Sequence, residues 1–181
     1  MDRRRGHWVS GLIVALVLFS GLTGWAQTRS GVVAPVITHA FTIEKIMYGD
    51  ILKVYIEAEE PTGDMFKIAT VVDQAGYGRY PTSWVYLKAA DRKHFKGFLQ
   101  WNTFSSKTPF VSEGTPITLT VSVLDKSGNE SNAFTFPITF ESGVKRASAY
   151  QIPPPFNQSD VKRLGSIDVE LMDFTIWRDS D

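Results

Sequence analysis

"GTPITLTVSVLDKSGNESNAFTFPITF", Gly114 to Phe140, alternates with period two on both sides of a polar turn. Ile117, Leu119, Val121 and Val123 fall on one face, and Thr118, Thr120 and Ser122 on the other. Successive strand residues point to opposite faces, so this run reads as a strand with one buried and one wet side. Beyond the turn, Phe134, Phe136, Ile138 and Phe140 repeat the pattern. Gly128 and Asn129 between the two runs tolerate the positive φ of a tight turn. The whole stretch therefore reads as a hairpin. Pro137 has no N–H to donate, so the second strand is expected at a sheet edge.

The same pattern extends towards the N-terminus. "ILKVYIEA" places Leu52, Val54, Ile56 and Ala58 against Lys53, Tyr55 and Glu57. "FKIATVV" sets Phe66, Ile68 and Val72 against Lys67 and Ala69. "VITHAFTI", "WVYLKA" and "FKGFLQWN" are further strands, the last weakened by Gly97. Seven strands with no helix-period segment between them exclude a parallel βαβ fold. The expected fold is all-β, a seven-stranded antiparallel immunoglobulin-like β-sandwich over residues 35–141. Burial of each Val, Ile, Leu or Phe of its inner faces is worth about 1.5–3 kcal/mol. The chain has no cysteine, so neither disulfides nor thiolate metal sites contribute.

Gly114 to Phe140, together with "YGDILKVYIEAEEPTGDMFKI", resembles the immunoglobulin-like and fibronectin-III-like modules of bacterial exported proteins. The resemblance covers about residues 35–140 and concerns architecture. It implies a spacer, an adhesin or a sugar-binding accessory module and does not choose among them. The Cys–Trp–Cys pattern of antibody domains is missing.

Strand alternation decides which loops share an end. The connections at 59–64, 90–94 and 125–131 gather at one end, with Glu59, Glu60, Asp64, Asp125 and Asn129 as candidate oxygen ligands for Ca2+. Arg92, Lys93 and Lys126 in the same loops could balance those acids without a metal. An EF-hand is excluded: counted from Asp125, about the sixth and twelfth positions should be Gly and Glu, and they are Glu130 and Phe136. The opposite end carries "DQAGYGRYPTSW" and "NTFSSKTPFVSEG". Tyr77, Arg79, Tyr80, Trp84, Phe104 and Phe110 there are candidate contacts for a glycan or protein partner, since aromatic rings offer area at little entropic cost. The competing reading is that these rings cap the core.

Residues 1–26, "MDRRRGHWVSGLIVALVLFSGLTGWA", combine three arginines, a short apolar run and small residues at Gly24 and Ala26. That is the layout of a secretory signal peptide, expected to be cut after Ala26, with an N-terminal membrane anchor as the alternative. The remaining chain would carry 16 basic and 18 acidic residues, which gives no footing for nucleic-acid binding. Residues 27–34 are expected to be a flexible lead-in. At the other end, residues 142–160 hold Pro153, Pro154 and Pro155 and read as a proline-rich linker. Residues 161–181 restore alternation at Ile167, Val169 and Leu171, as one more strand packed on the domain or exchanged with another molecule.

Catalytic motifs are absent from the sequence. There is no Gly-x-Ser-x-Gly elbow, no His-Glu-x-x-His and no phosphate-binding glycine loop. His39 and His94 are the histidines left beyond the leader. The expectation is an exported, non-catalytic module with a protein or glycan partner in the cell envelope and no membrane span once the leader is cut. A carbohydrate-binding accessory module is the first alternative and a small secreted hydrolase the second.

Overall fold

The computed structural model describes residues 33–104 and 111–172. The expected signal peptide, residues 27–32, Phe110 and residues 173–181 lie outside the described residues. No helix among the described residues is long and apolar enough to cross a membrane.

The strands are β1 (Val36–Phe41), β2 (Lys45–Ile46), β3 (Ile51–Glu59), β4 (Met65–Gln74), β5 (Gly78–Arg79), β6 (Ser83–Tyr86), β7 (His94–Asn102), β8 (Ile117–Asp125), β9 (Phe134–Phe140) and β10 (Lys162–Ile167). They form an all-β, immunoglobulin-like sandwich. One sheet runs β1-β3-β7-β10, and the other runs β2-β9-β8-β4-β5 with β6 also paired to β4. The seven expected strands are β1, β3, β4, β6, β7, β8 and β9. The expectation of a purely antiparallel fold is corrected, because β10 pairs with β7 and β2 with β9 in parallel. A long connection, such as 141–161 before β10, lets the chain cross over and enter a sheet in the same direction as its neighbour.

The core lies between the two inner faces. Leu52, Val54, Ile56 and Ala58 of β3 are fully buried and meet Ile117, Leu119, Val121 and Val123 of β8. One strand departs from simple alternation. A register shift between Met65 and Lys67 on β4 turns Met65 into the core and Phe66 out of it, so the expected inward Phe66 is corrected. A bulge inserts one extra residue and changes which side chains face inward on either side of it.

Edges are treated individually. The amide of Asn132 accepts a hydrogen bond from the Ile37 N–H (2.9 Å) and donates one to the Ile37 carbonyl (3.1 Å). That side chain occupies the place of a neighbouring strand beside β1. On β9, the N–H groups of Thr139 and Glu141 bond to Glu44 and Ile46 around β2. The expectation of an edge strand is corrected, because β2 pairs outside β9; Pro137, two residues before Thr139 and on the same side, stands beyond the end of short β2, where no donor is required.

The tail packs on the same molecule. Ile167, Val169 and Leu171 are buried, and the Trp101 indole N–H donates to the Val169 carbonyl at 2.9 Å. Asp168 N–H donates to Ser83 Oγ (2.9 Å), Met172 N–H to the Tyr80 hydroxyl (2.8 Å), and Gln74 Nε2 to the Met172 carbonyl (2.7 Å). The tail thus runs from the β7 edge of one sheet to β4 and β6 of the other. Gly97 and Gly165 permit this approach: a β-carbon on Gly97 would lie 2.5 Å from the Lys162 carbonyl oxygen, and one on Gly165 2.5 Å from a Val85 methyl.

The expected linker at 142–160 is also corrected. Phe156 is buried, with its ring centroid 5.5 Å from that of Tyr55 on the outer face of β3. Lys96 on β7 pairs with Asp160 at 2.7 Å. The outward rings Phe41, Tyr55 and Phe98 give the proline-rich stretch an apolar surface to cover, so it lies along the first sheet.

Candidate functional site

The acidic end is a hydrogen-bonded block of turns. Glu60 N–H donates to the Lys93 carbonyl (2.9 Å), Met65 N–H to Arg92 (3.1 Å) and Lys126 N–H to Asp64 (3.1 Å), so the three loops do meet as expected. Two of their carboxylates, Glu60 and Asp125, are already in use. Glu60, buried, accepts hydrogen bonds from the Thr62 hydroxyl and from Asp64 N–H (2.8 Å). Burial pushes the Glu60 carboxyl up, but these donors outweigh it and hold the group below the ordinary carboxylate range. Asp125, also buried, takes the Asn129 N–H (2.8 Å) and the Asn129 side-chain amide (2.6 Å). Asp64 Oδ1 lies 2.8 Å from the same Thr62 hydroxyl and shares its single proton with Glu60, and Glu59 stands exposed opposite His94. Among the described residues no group of three or more histidines, aspartates or glutamates is arranged to hold a metal ion. Turns between strands place oxygens at the same alternating spacing as a calcium loop.

Among the described residues, the aromatic candidates do not form one surface. Tyr80 is a core residue, its hydroxyl donating to Gln74 Oε1 at 2.6 Å and accepting from the tail, so it offers no ring to a ligand. Burial pushes its phenol up to about 12. Tyr77 lies partly exposed with its centroid 4.3 Å from that of Tyr80. Arg79 is bound at both Nε (3.0 Å) and Nη2 (3.2 Å) by Asp73. Phe104, at the end of β7, is exposed, with its ring centroid 6.5 Å from that of Tyr48.

Trp84 belongs to a different group. It stands on the outer face of β6, 42% exposed, with the Lys67 ammonium 3.8 Å from a ring centroid. Two residues on, Tyr86 is 62% exposed and meets Phe66 edge to face at 5.3 Å. The Arg92 guanidinium lies 5.8 Å from the Phe66 ring. Three rings and two cations therefore line the outer surface of β4 and β6. Lys67, Tyr86 and Arg92 were not expected as site residues. Period two places Tyr86 beside Trp84, which was a readable signal; Phe66 joins them only through the bulge.

Glu57 lies between two imidazoles, with His39 Nδ1 at 3.0 Å and His94 Nε2 at 3.2 Å. A carboxylate that orients a histidine is part of a hydrolytic triad, but a nucleophile must complete it. Among the described residues no serine or threonine hydroxyl hydrogen-bonds to either ring.

No protein-family model and no curated protein matches the chain. A solved structure, the CARDB domain of the PF1109 protein from Pyrococcus furiosus in complex with di-metal ions, is similar over 59% of this chain and 87% of that one. The identity is 11% and the TM-score 0.33, a likeness too loose to transfer a function or a metal site.

Proposed function

We propose that the chain is an exported, non-catalytic β-sandwich module that binds a protein partner in the cell envelope through the outer face of β4 and β6. One observation carries the reading: Trp84 and Tyr86 stand exposed side by side on a regular strand, flanked by Phe66 and Lys67. Exposed Trp and Tyr are among the residues that dominate binding at protein interfaces, because each brings much area at the loss of few rotamers. The leader-like residues 1–26 support export.

A photo-crosslinking residue placed at Tyr86 tests this. In envelope preparations it should yield a discrete adduct that the same residue at Ile51, exposed on the other sheet, does not yield. Identical labelling from both positions would sink the proposal. A glycan-array signal abolished by Trp84→Ala, with no protein adduct, would favour the carbohydrate reading instead.

A further inference from the structure

The proline-rich strap does not seal the first sheet along its whole length. Between residues 146–152 and the outer face of β3 lies a cleft of about 550 Å³, within the range of small-molecule sites. Phe41, Tyr55 and Tyr150 supply its rings. Lys53, Asp50 and Arg146 supply its charges. Among the described residues neither cation is paired with a carboxylate: Lys53 rests 4.6 Å over the Phe98 ring, and Arg146 has no ion pair. The one acid is partly engaged, since Asp50 Oδ2 accepts the Ala147 N–H at 3.5 Å. Tyr55 is buried as a residue and lines the cleft. Burial pushes that phenol up from its ordinary value, so it stays protonated and able to donate.

From this arrangement we infer that the cleft binds a small organic anion, with an apolar or ring-shaped body held between Phe41, Tyr55 and Tyr150 and an anionic group held by Lys53 and Arg146. Two unpaired cations against one occupied carboxylate select the sign of the ligand, since an anion gains two attractions and meets one repulsion. Rings on the walls select a body that prefers to leave water. Residues 146–152 form one wall of the cleft and β3 the other, which suits a small molecule better than a flat protein surface. The site lies on the first sheet and does not depend on the face proposed above for partner binding.

The test uses two fluorescent probes of similar ring size, anionic 1-anilinonaphthalene-8-sulfonate and uncharged N-phenyl-1-naphthylamine, titrated into the protein cut before Gln27. The anionic probe should bind saturably near one equivalent and at least about tenfold more tightly than the neutral one. Phenylacetate should displace it and phenylacetamide should not. Lys53→Glu and Arg146→Glu, both at exposed positions, should each weaken the anionic probe by about tenfold, while Trp84→Ala/Tyr86→Ala leaves it unchanged. Equal affinity for both probes, or charge reversals that bind like the parent protein, would overturn the inference. Loss of binding in the Trp84→Ala/Tyr86→Ala variant alone would assign the probe to the other sheet and overturn it equally.

Discussion

A β-carbon added to Gly97 would stand 2.5 Å from the carbonyl oxygen of Lys162, a backbone atom that cannot swing aside. Gly97→Ala should therefore lower stability by about 1–3 kcal/mol, read as a lower midpoint of urea unfolding. Gly128 is a control of another kind. It has φ near +86° with open space around it, so Gly128→Ala should cost only the conformational penalty of about 1–2 kcal/mol. If the two variants unfold with the tail equally protected from proteolysis, Gly97 is not the contact that seats β10. Tyr80 makes a prediction in pH. Its folded phenol, held up to about 12 by burial, binds its proton more tightly than an unfolded tyrosine near 10. Stability from this group is whole below about pH 10 and is lost as the pH climbs through about 12, at up to about 1.4 kcal/mol per pH unit. Tyr80→Phe should flatten that alkaline loss. Some slope should remain, because burial raises the Tyr55 phenol as well. An unchanged alkaline limb would show that Tyr80 is not the titrating group.

At the scale of the element, the tail contributes more than its length suggests. Ile167, Val169 and Leu171 are buried, and at about 1.5–3 kcal/mol each they rival the net stability of an ordinary domain. Removing 162–181 would also strand the Trp101 indole N–H and the Gln74 amide. The truncated chain should lose cooperative thermal unfolding, as followed by near-ultraviolet circular dichroism; a sharp transition at the parent temperature would refute this. Period two made β3, β8 and β9 legible because each turns one apolar row inward and a more polar row outward. It failed at Met65 and Phe66, where a bulge changes phase and leaves no mark in composition. It failed again at 142–160. Three prolines look like a spacer in one dimension, and only the outward rings of Tyr55 and Phe98 on distant strands reveal a surface to cover. The acidic turns were legible as neighbours. Their hydrogen bonds to their own backbone were not, because loop conformation decides whether an oxygen faces out or in.

For the whole molecule, the two sheets are dressed unequally. The first has its outer face covered by the strap and the cleft beneath it, and the second leaves Trp84 and Tyr86 bare. The two proposed sites therefore sit on different sheets and can be disabled separately. Export makes its own prediction: mass spectrometry of the protein recovered outside the cytoplasm should find an N-terminus at Gln27. Full-length chain held in the membrane fraction would support the anchor reading. Asn132 and Pro137 bear on what the molecule does when crowded. One replaces a missing strand with a side-chain amide, and the other withdraws a donor from an open margin. Two copies meeting along these margins find the main-chain groups of Ile37 already taken and no donor at Pro137. At those two positions one copy cannot extend the sheet of another, and recognition across them falls to side chains.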